Sequence, residues 1–223
     1  MLYKFMRTKK IKINGKRGEI GYKLNEGDIV ELYIKDEFLA QGGDQSFLGI
    51  IPKLKVIYED ENILLCDKKP GVIVHPDENE EINTLVNHAT AYLYKKGEYD
   101  PSAENSFSPA LCNRIDRNTG GIVICAKNAE TLRIVNEKIK NGETEKSYLC
   151  LVHGIFEKKE GIITAYHKKD EKNNIAIIGK NKFAGAKIIK TKYRVQKEKE
   201  GISLVEAELV TGRTHQIRAH FAY

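Results

Sequence analysis

The sequence has no tryptophan, two methionines, four cysteines and five prolines in 223 residues. No window approaches the roughly 18 consecutive apolar residues of a membrane-crossing helix, which excludes a helical span. There is no GxGxxG and no GxxxxGK[ST], so dinucleotide redox chemistry and nucleotide hydrolysis have no foothold. HExxH is missing too: His215 and His220 stand at i,i+5, and no acidic cluster offers a two-metal site. Neither a metal nor a cofactor is expected. Cys66, Cys112, Cys125 and Cys150 lie in apolar or mixed strand-like runs without CxxC, and read as small buried hydrophobes rather than a disulfide or zinc framework. The opening MLYKFMRTKKI lacks the apolar stretch of a signal peptide, so a reducing cytoplasm is the expected compartment.

The chain is 41% hydrophobic and 30% charged, enough for one substantial core with a small satellite module. Its 37 Lys and Arg against 31 Asp and Glu give a formal charge of +6, which permits an anionic partner. Residues 1–35 carry nine of these cations and four acids. There Asn14-Gly15 signals a type I′ hairpin turn, Glu26-Gly27-Asp28 a second turn, and Ile29 to Ile34 a short strand. Residues 36–52, with Gly42-Gly43 and a closing proline, are the expected linker, and 53–223 the main domain. In VIYEDENILLCDKKPGVIVHP two short strands are expected around Lys69-Pro70-Gly71. Asn83 to Tyr94 reads as a helix with Leu85, Val86, Ala89 and Leu93 on one side, and Asn128 to Lys140 as another with Leu132, Val135 and Ile139 in step. Strands are expected at Ile122 to Cys125, Ser147 to Val152, Gly161 to His167, Asn174 to Ile178, Lys187 to Val195 and Ile202 to Val210. The class is mixed α+β.

Two segments are dense in chemistry. In Asn113-Arg114-Ile115-Asp116-Arg117-Asn118-Thr119-Gly120-Gly121, two arginines bracket an aspartate in a polar turn before an apolar strand. Opposite charges within reach favour a carboxylate available as nucleophile or electrostatic element, although a solvated loop acid fits the same pattern. In Thr211 to His220, Thr214 is the expected N-cap of a helix beginning at His215, with His215 and Arg218 one turn apart on the same side. Glycosidic, phosphate or carboxylate recognition all suit that junction, as does a plain helix start. Between the two, strand alternation puts Tyr148, Cys150 and Val152 on one face. Lys180, Lys182, Lys187, Lys190, Lys192 and Arg194 lie in a stretch without an acid, suited to phosphate contacts or to a solvated face.

Together these segments resemble the RluA-type family of RNA pseudouridine synthases. That family's signatures resemble HRLD-x-x-TSG, K-x-Y-x-x-x-V-x-G and TGRTHQIR-x-H. Here they read Asn113-Arg114-Ile115-Asp116 with Thr119-Gly120-Gly121, Lys146-Ser147-Tyr148 with Val152 and Gly154, and TGRTHQIRAH unbroken from Thr211 to His220. YEDENILLCDKKPGVIVHP is similar to the family's opening strands, while KIKINGKR and LNEGDIVELYI resemble the last part of an S4-type RNA-binding module. Asn113 stands where the family more often has histidine, and Gly120 where serine is common; both are expected to tune the turn.

The resemblance implies a pseudouridine synthase fold, a central mixed, largely antiparallel sheet flanked by helices, beside a partial S4-like module over 1–35. It implies isomerisation of uridine to pseudouridine in RNA without cofactor or metal. Asp116 matches the indispensable aspartate, Tyr148 the tyrosine that stacks on the base and helps remove the C5 proton, and Arg218 the arginine that pairs with the aspartate. Arg114 matches a residue that supports base flipping. Arg117, Thr119, Lys146, Lys190, Arg213, His215 and Gln216 are the expected substrate and RNA contacts. The expected partner is RNA, ribosomal RNA above all, with no membrane, no obligate protein partner and a monomeric state. Family members usually continue past HQIRxH, so further C-terminal residues are expected beyond Tyr223. The competing readings are a noncatalytic RNA-binding or ribosome-assembly protein and a glycosidase acting on free nucleosides.

Overall fold

The computed structural model describes residues 2–34, 46–103, 107–170 and 175–223, in two compact units: Met1–Leu54 with His75–Pro109, and Lys55–Val74 with Ala110–Tyr223. Most of the expected linker, residues 36–45, and the first residue of the expected strand at Asn174 lie outside the described residues.

The first unit opens with α1 (Leu2–Arg7) and a small antiparallel sheet of β1 (Ile11–Ile13), β2 (Lys16–Arg17) and β3 (Val30–Leu32), in the order β2-β1-β3. Asn14 and Gly15 have φ of 52° and 75°, the two positive values a type I′ turn requires. The Asp28 carboxylate gathers the loop before β3 by accepting from Asn14 Nδ2 at 2.7 Å, Asn25 N at 2.9 Å and Tyr22 OH at 3.0 Å. In the same unit α2 (Leu85–Lys95) buries Leu85, Ala89 and Leu93 of the expected stripe, while Val86 is only half-buried. It begins at Leu85 because Thr84 is extended and its hydroxyl caps Asn87 N. Phe47, 3% exposed, packs its ring 5.5 Å from that of Tyr94 and 5.8 Å from that of Tyr99.

The second unit contains two sheets. One comprises β4 (Val56–Glu59), β5 (Ile63–Lys68), β6 (Ala110–Leu111) and β7 (Gly121–Ala126), in the order β4-β5-β7-β6. α3 (Ala129–Asn141) packs against β7, capped by Asn128 and ended by Gly142 at φ 76°. The other comprises β8 (Ser147–His153), β9 (Glu160–Asp170), β10 (Ile175–Gly179), β11 (Lys187–Lys199) and β12 (Ile202–Leu209), in the order β10-β9-β11-β12-β8. α4 (Gln216–Ala222) packs on β10 and β11. Every named strand pairing is antiparallel.

The cores follow strand alternation. Leu64 and Cys66 of β5 are buried with Val123 and Cys125 of β7; Ser203, Val205 and Ala207 of β12 are buried with Ile189 and Thr191 of β11. Cys66 and Cys125 are buried as expected, but Cys112 and Cys150 are only half-buried. The expected turn at Lys69-Pro70-Gly71 is not the hairpin. β4 and β5 reverse at Asp60, whose Oδ1 accepts from Asn62 N at 2.8 Å and Ile63 N at 2.7 Å, while the chain after Gly71 leaves the sheet.

Candidate active site

Three pieces of the second unit converge: the loop between β6 and β7, the start of β8, and the turn that leads into α4. They enclose a cavity of about 200 Å³ whose walls include Arg114, Asp116, Thr119, Tyr148, Arg213, His215, Gln216 and Arg218. That is below the roughly 300–1,000 Å³ of a site for a drug-sized ligand, and on the scale of a single nucleobase.

Asp116 stands at the centre, its side chain 36% exposed. Its Oδ2 lies 3.6 Å from Arg218 Nη1 and 4.0 Å from His215 Nε2. Arg218 is 70% exposed, and therefore also available to a phosphate. The loop holding Asp116 is fastened at both ends. Thr119 N donates to Asp116 O at 3.0 Å, closing a turn. Upstream, Asn113 behaves like a strand residue: its Oδ1 accepts from Ile124 N at 2.8 Å and its Nδ2 donates to Ile122 O at 3.2 Å. Asn113 thus stitches the loop to β7. Gly120 fits because a Cβ there would meet Pro70 Cδ at 3.2 Å, and Gly121 has φ 137°.

Tyr148 is aimed by its place on β8, where it pairs with Ala207 of β12. Burial first, and then the charge of Asp116, raises its phenol above the ordinary tyrosine value. Cys150 shares its face, as alternation predicts.

The turn before α4 departs from expectation. Thr214 is not the N-cap; His215 is, in the left-handed region at φ 55°, and it makes no capping hydrogen bond with its side chain. The conformation is stabilised from within the turn. Gln216, 2% exposed, accepts at Oε1 from Thr211 Oγ1 at 2.9 Å and Arg213 N at 3.1 Å, and donates from Nε2 to Lys190 O and Thr191 Oγ1, both at 3.0 Å. Thr191 also meets His220 Nδ1 at 2.7 Å, and His167 Nε2 reaches Thr214 O at 3.0 Å. His220 is 3% exposed; burial, and then His167, pulls its pKa down to about 4. A strained histidine backbone is thereby held by a buried polar network, which places the His215 ring against Asp116.

The residues singled out in the sequence separate into groups. Arg114, Asp116, Thr119, Tyr148, Arg213, His215, Gln216 and Arg218 share the cavity. Lys146 lines an adjoining groove instead. Arg117 and Lys190 are outside the cavity walls, and their carbonyls hold neighbouring segments: Arg117 O accepts from Gly71 N and Lys68 Nζ, and Lys190 O from Gln216 Nε2. Sequence reasoning missed Lys68, Thr191 and His167. No group of His, Cys, Asp and Glu able to hold a metal occurs among the described residues.

The cavity thus brings together a carboxylate, a guanidinium, an imidazole and an aromatic ring. Residues 62–223 match the family model of the RNA pseudouridylate synthases. The chain is 37% identical over 224 residues to an uncharacterized RNA pseudouridine synthase of Mycoplasma genitalium, covering 97% of this chain and 68% of that protein. It is 33% identical over 170 residues to ribosomal large subunit pseudouridine synthase D of Borreliella burgdorferi, covering 76% of this chain and 51% of that one. In fold it matches human RNA pseudouridylate synthase domain containing 1 with a TM-score of 0.60 and 20% identity, covering 77% of this chain and 65% of that one. The chain belongs to the RNA pseudouridylate synthase family.

Proposed function

We propose that this chain isomerises uridine to pseudouridine within ribosomal RNA, with Asp116 as the nucleophile. The observation that carries the reading is the meeting of Asp116, Tyr148, His215 and Arg218 around one base-sized cavity. A uridine enters by leaving its stack, at a cost of a few kcal/mol that the cavity's contacts offset. Arg114, exposed at the cavity wall, fills the space it vacates in this reading. Asp116 attacks either C1′ of the ribose or C6 of the base. By either route the N1–C1′ bond breaks, uracil turns within the cavity and C5 bonds to C1′; the bond to Asp116 breaks in turn, from C1′ as C5 displaces the carboxylate or from C6 by elimination, which restores the free carboxylate. N1 gains a proton and C5 loses one, so the reaction balances without an external reagent. Tyr148 stacks on the base and assists loss of the C5 proton, and Arg218 holds Asp116 as RNA excludes water from the site.

The Borreliella burgdorferi relative, named for the large ribosomal subunit, supports ribosomal RNA as substrate. The sheet of β1 to β3, bearing Lys12, Lys16 and Arg17, serves in this reading as an S4-like second contact to RNA. Gln216 positions the turn rather than touching RNA, because its amide is occupied by four protein partners.

The test is incubation with a ribosomal RNA transcript labelled with tritium at uridine C5. Tritium release without change in RNA mass, abolished in Asp116→Ala, is expected. RNA binding without release would favour the noncatalytic reading, and free uracil would indicate glycosidic hydrolysis.

A further inference from the structure

The isomerisation takes a proton off C5, and that proton needs an acceptor. Tyr148 is not one: burial, and then Asp116, raise its phenol above the ordinary tyrosine value, so it assists only if another group finally takes the proton. The other polar side chains of the wall fare no better. Arg114, Arg213 and Arg218 carry guanidinium groups, which have donors and no acceptor, and the Thr119 hydroxyl is not a base near neutrality. Burial raises the Cys150 thiol and keeps it protonated. The Gln216 amide is spent on protein partners. Among the described residues lining the cavity, Asp116 and His215 remain. Asp116 is the nucleophile of the proposed reaction, and by the C6 route it is still bonded to the base when the C5 proton leaves. Imidazole is the side chain that takes up and returns a proton near neutral pH.

The backbone points to the same residue. Among the described residues, Lys9, Asn14, Glu200 and His215 are the non-glycine positions with positive φ. Asn14 and Glu200 each precede a glycine in a hairpin turn, and Lys9 closes the turn after α1, so in these three the chain is reversing. His215 instead opens a helix, where the caps of α2 and α3 are extended and bond to the helix through their side chains. At φ 55° it makes no such bond. Its left-handed conformation therefore contributes nothing to capping α4, yet costs energy that the Gln216 network offsets. What the conformation achieves is placement of the ring in the cavity wall, with Nε2 4.0 Å from Asp116 Oδ2. That is too long for a hydrogen bond, so Nε2 is not spent on one in the free protein.

We propose that His215, held in the cavity by its left-handed backbone, is the base that takes the C5 proton. This rests on the synthase reading of the site. Once C5 has bonded to C1′, the C5–H bond breaks, the proton passes to His215 Nε2 and the electron pair forms the C5–C6 double bond. By the C1′ route the electrons of the N1–C6 double bond move to N1; by the C6 route the electrons of the C6–oxygen bond return to Asp116. N1 ends with a proton from water, and the imidazolium, 22% exposed, gives the C5 proton to water. The charged and titratable groups that share the cavity with His215 are Arg114 and Asp116 of the loop before β7, Tyr148 and Cys150 of β8, and Arg213 and Arg218 of its own turn and helix.

The experiment compares single turnovers of ribosomal RNA transcripts carrying ordinary or deuterated uridine C5 by wild type, His215→Asn and His215→Gly, with RNA affinity and urea midpoint measured on each. Asparagine and glycine both accept a positive φ, so the turn keeps its shape and the midpoint should not fall. Turnover should drop roughly 10²–10⁴-fold, the range a positioned base supplies. RNA affinity should stay within about twofold, because phosphate contacts dominate it. The C5 isotope effect should exceed that of wild type, since losing the base makes C5–H cleavage the slow step. Imidazole added to the buffer should return turnover to His215→Gly and not to Asp116→Ala. Either signature, the larger isotope effect or the recovery, sustains the proposal. It is overturned if either variant turns over at the wild-type rate, or if turnover is lost with neither signature. Should the glycine variant fail to fold, the isotope effect of His215→Asn decides alone. Wild type that forms no pseudouridine sinks the synthase reading, whereas active wild type beside unimpaired His215 variants sinks only this one.

Discussion

At the scale of single residues, environment divides groups that composition treats alike. Tyr148 is half-buried beside Asp116, and both influences hold its phenol protonated well past neutrality. In the reaction proposed above it takes part as a neutral hydroxyl on a ring that stacks on the base. Tyr148→Phe keeps the ring and deletes the hydroxyl, so RNA affinity should hold within about twofold while single-turnover tritium release falls roughly 10²–10⁴-fold, the range that positioned acid–base groups supply. Tyr148→Leu should also lose affinity, by about 1–3 kcal/mol for a stacked base. The cysteines illustrate the same division away from the site. Burial pushes the Cys66 thiol up to about 12, leaving almost no thiolate near neutral pH. Cys66 should resist iodoacetamide in the native protein and label fully in urea, as mass spectrometry of the digested chain would report.

At the scale of elements, the turn into α4 couples a strained backbone to a buried polar network, and acid should find it. His220 titrates near 6.5 when unfolded and near 4 when folded. The unfolded chain therefore binds the extra proton first, so stability is complete above about pH 6.5 and is lost progressively as pH falls toward 4. The groups packed around this ring are His167 of β9, Thr191 of β11 and, through Thr191, Gln216. His220→Gln should flatten the part of the urea-midpoint profile between pH 6.5 and 4 relative to wild type, leaving the carboxylate-driven loss below it. The strands on either side of this turn were legible because β11 and β12 alternate cleanly, and α2 and α3 because their apolar residues recur at helical spacing. The cap was not. Thr214 satisfies every local preference for an N-cap, yet Gln216, anchored to Lys190 and Thr191 on a distant strand, supplies the acceptor for this turn. Lys68 was hidden for the same reason. In Asp67-Lys68-Lys69-Pro70 it reads as surface charge, and only the carbonyl of Arg117, brought back by the β5–β7 pairing, gives its ammonium a buried place. Asp116 and Tyr148 were legible because a charged turn and an alternating strand are local patterns; the groups that hold them in place are non-local.

For the whole molecule, the excess of six positive charges and the gathering of Asp116, Tyr148 and Arg218 at one cavity lead, under the proposed function, to the expectation that binding and chemistry separate under mutation. Affinity of a protein for RNA is a sum over many cations releasing counter-ions from phosphates, whereas in the proposed reaction turnover depends on a few atoms around Asp116. Lys190 stands on the binding side of that division: its side chain is exposed and outside the cavity, while its backbone, which a side-chain truncation leaves in place, still anchors Gln216. Lys190→Ala should weaken binding to ribosomal RNA at low salt and reduce the slope of log affinity against log salt by about 0.7–0.9, one phosphate contact. Turnover at saturating RNA should be unchanged. Asp116→Ala should give the converse, no turnover with the wild-type salt slope. Filter binding across a salt series, paired with single-turnover tritium release on the same preparations, measures both quantities. If Lys190→Ala slows turnover at saturating RNA while leaving affinity intact, this division is wrong, and Lys190 acts through the Gln216 turn instead of through phosphate.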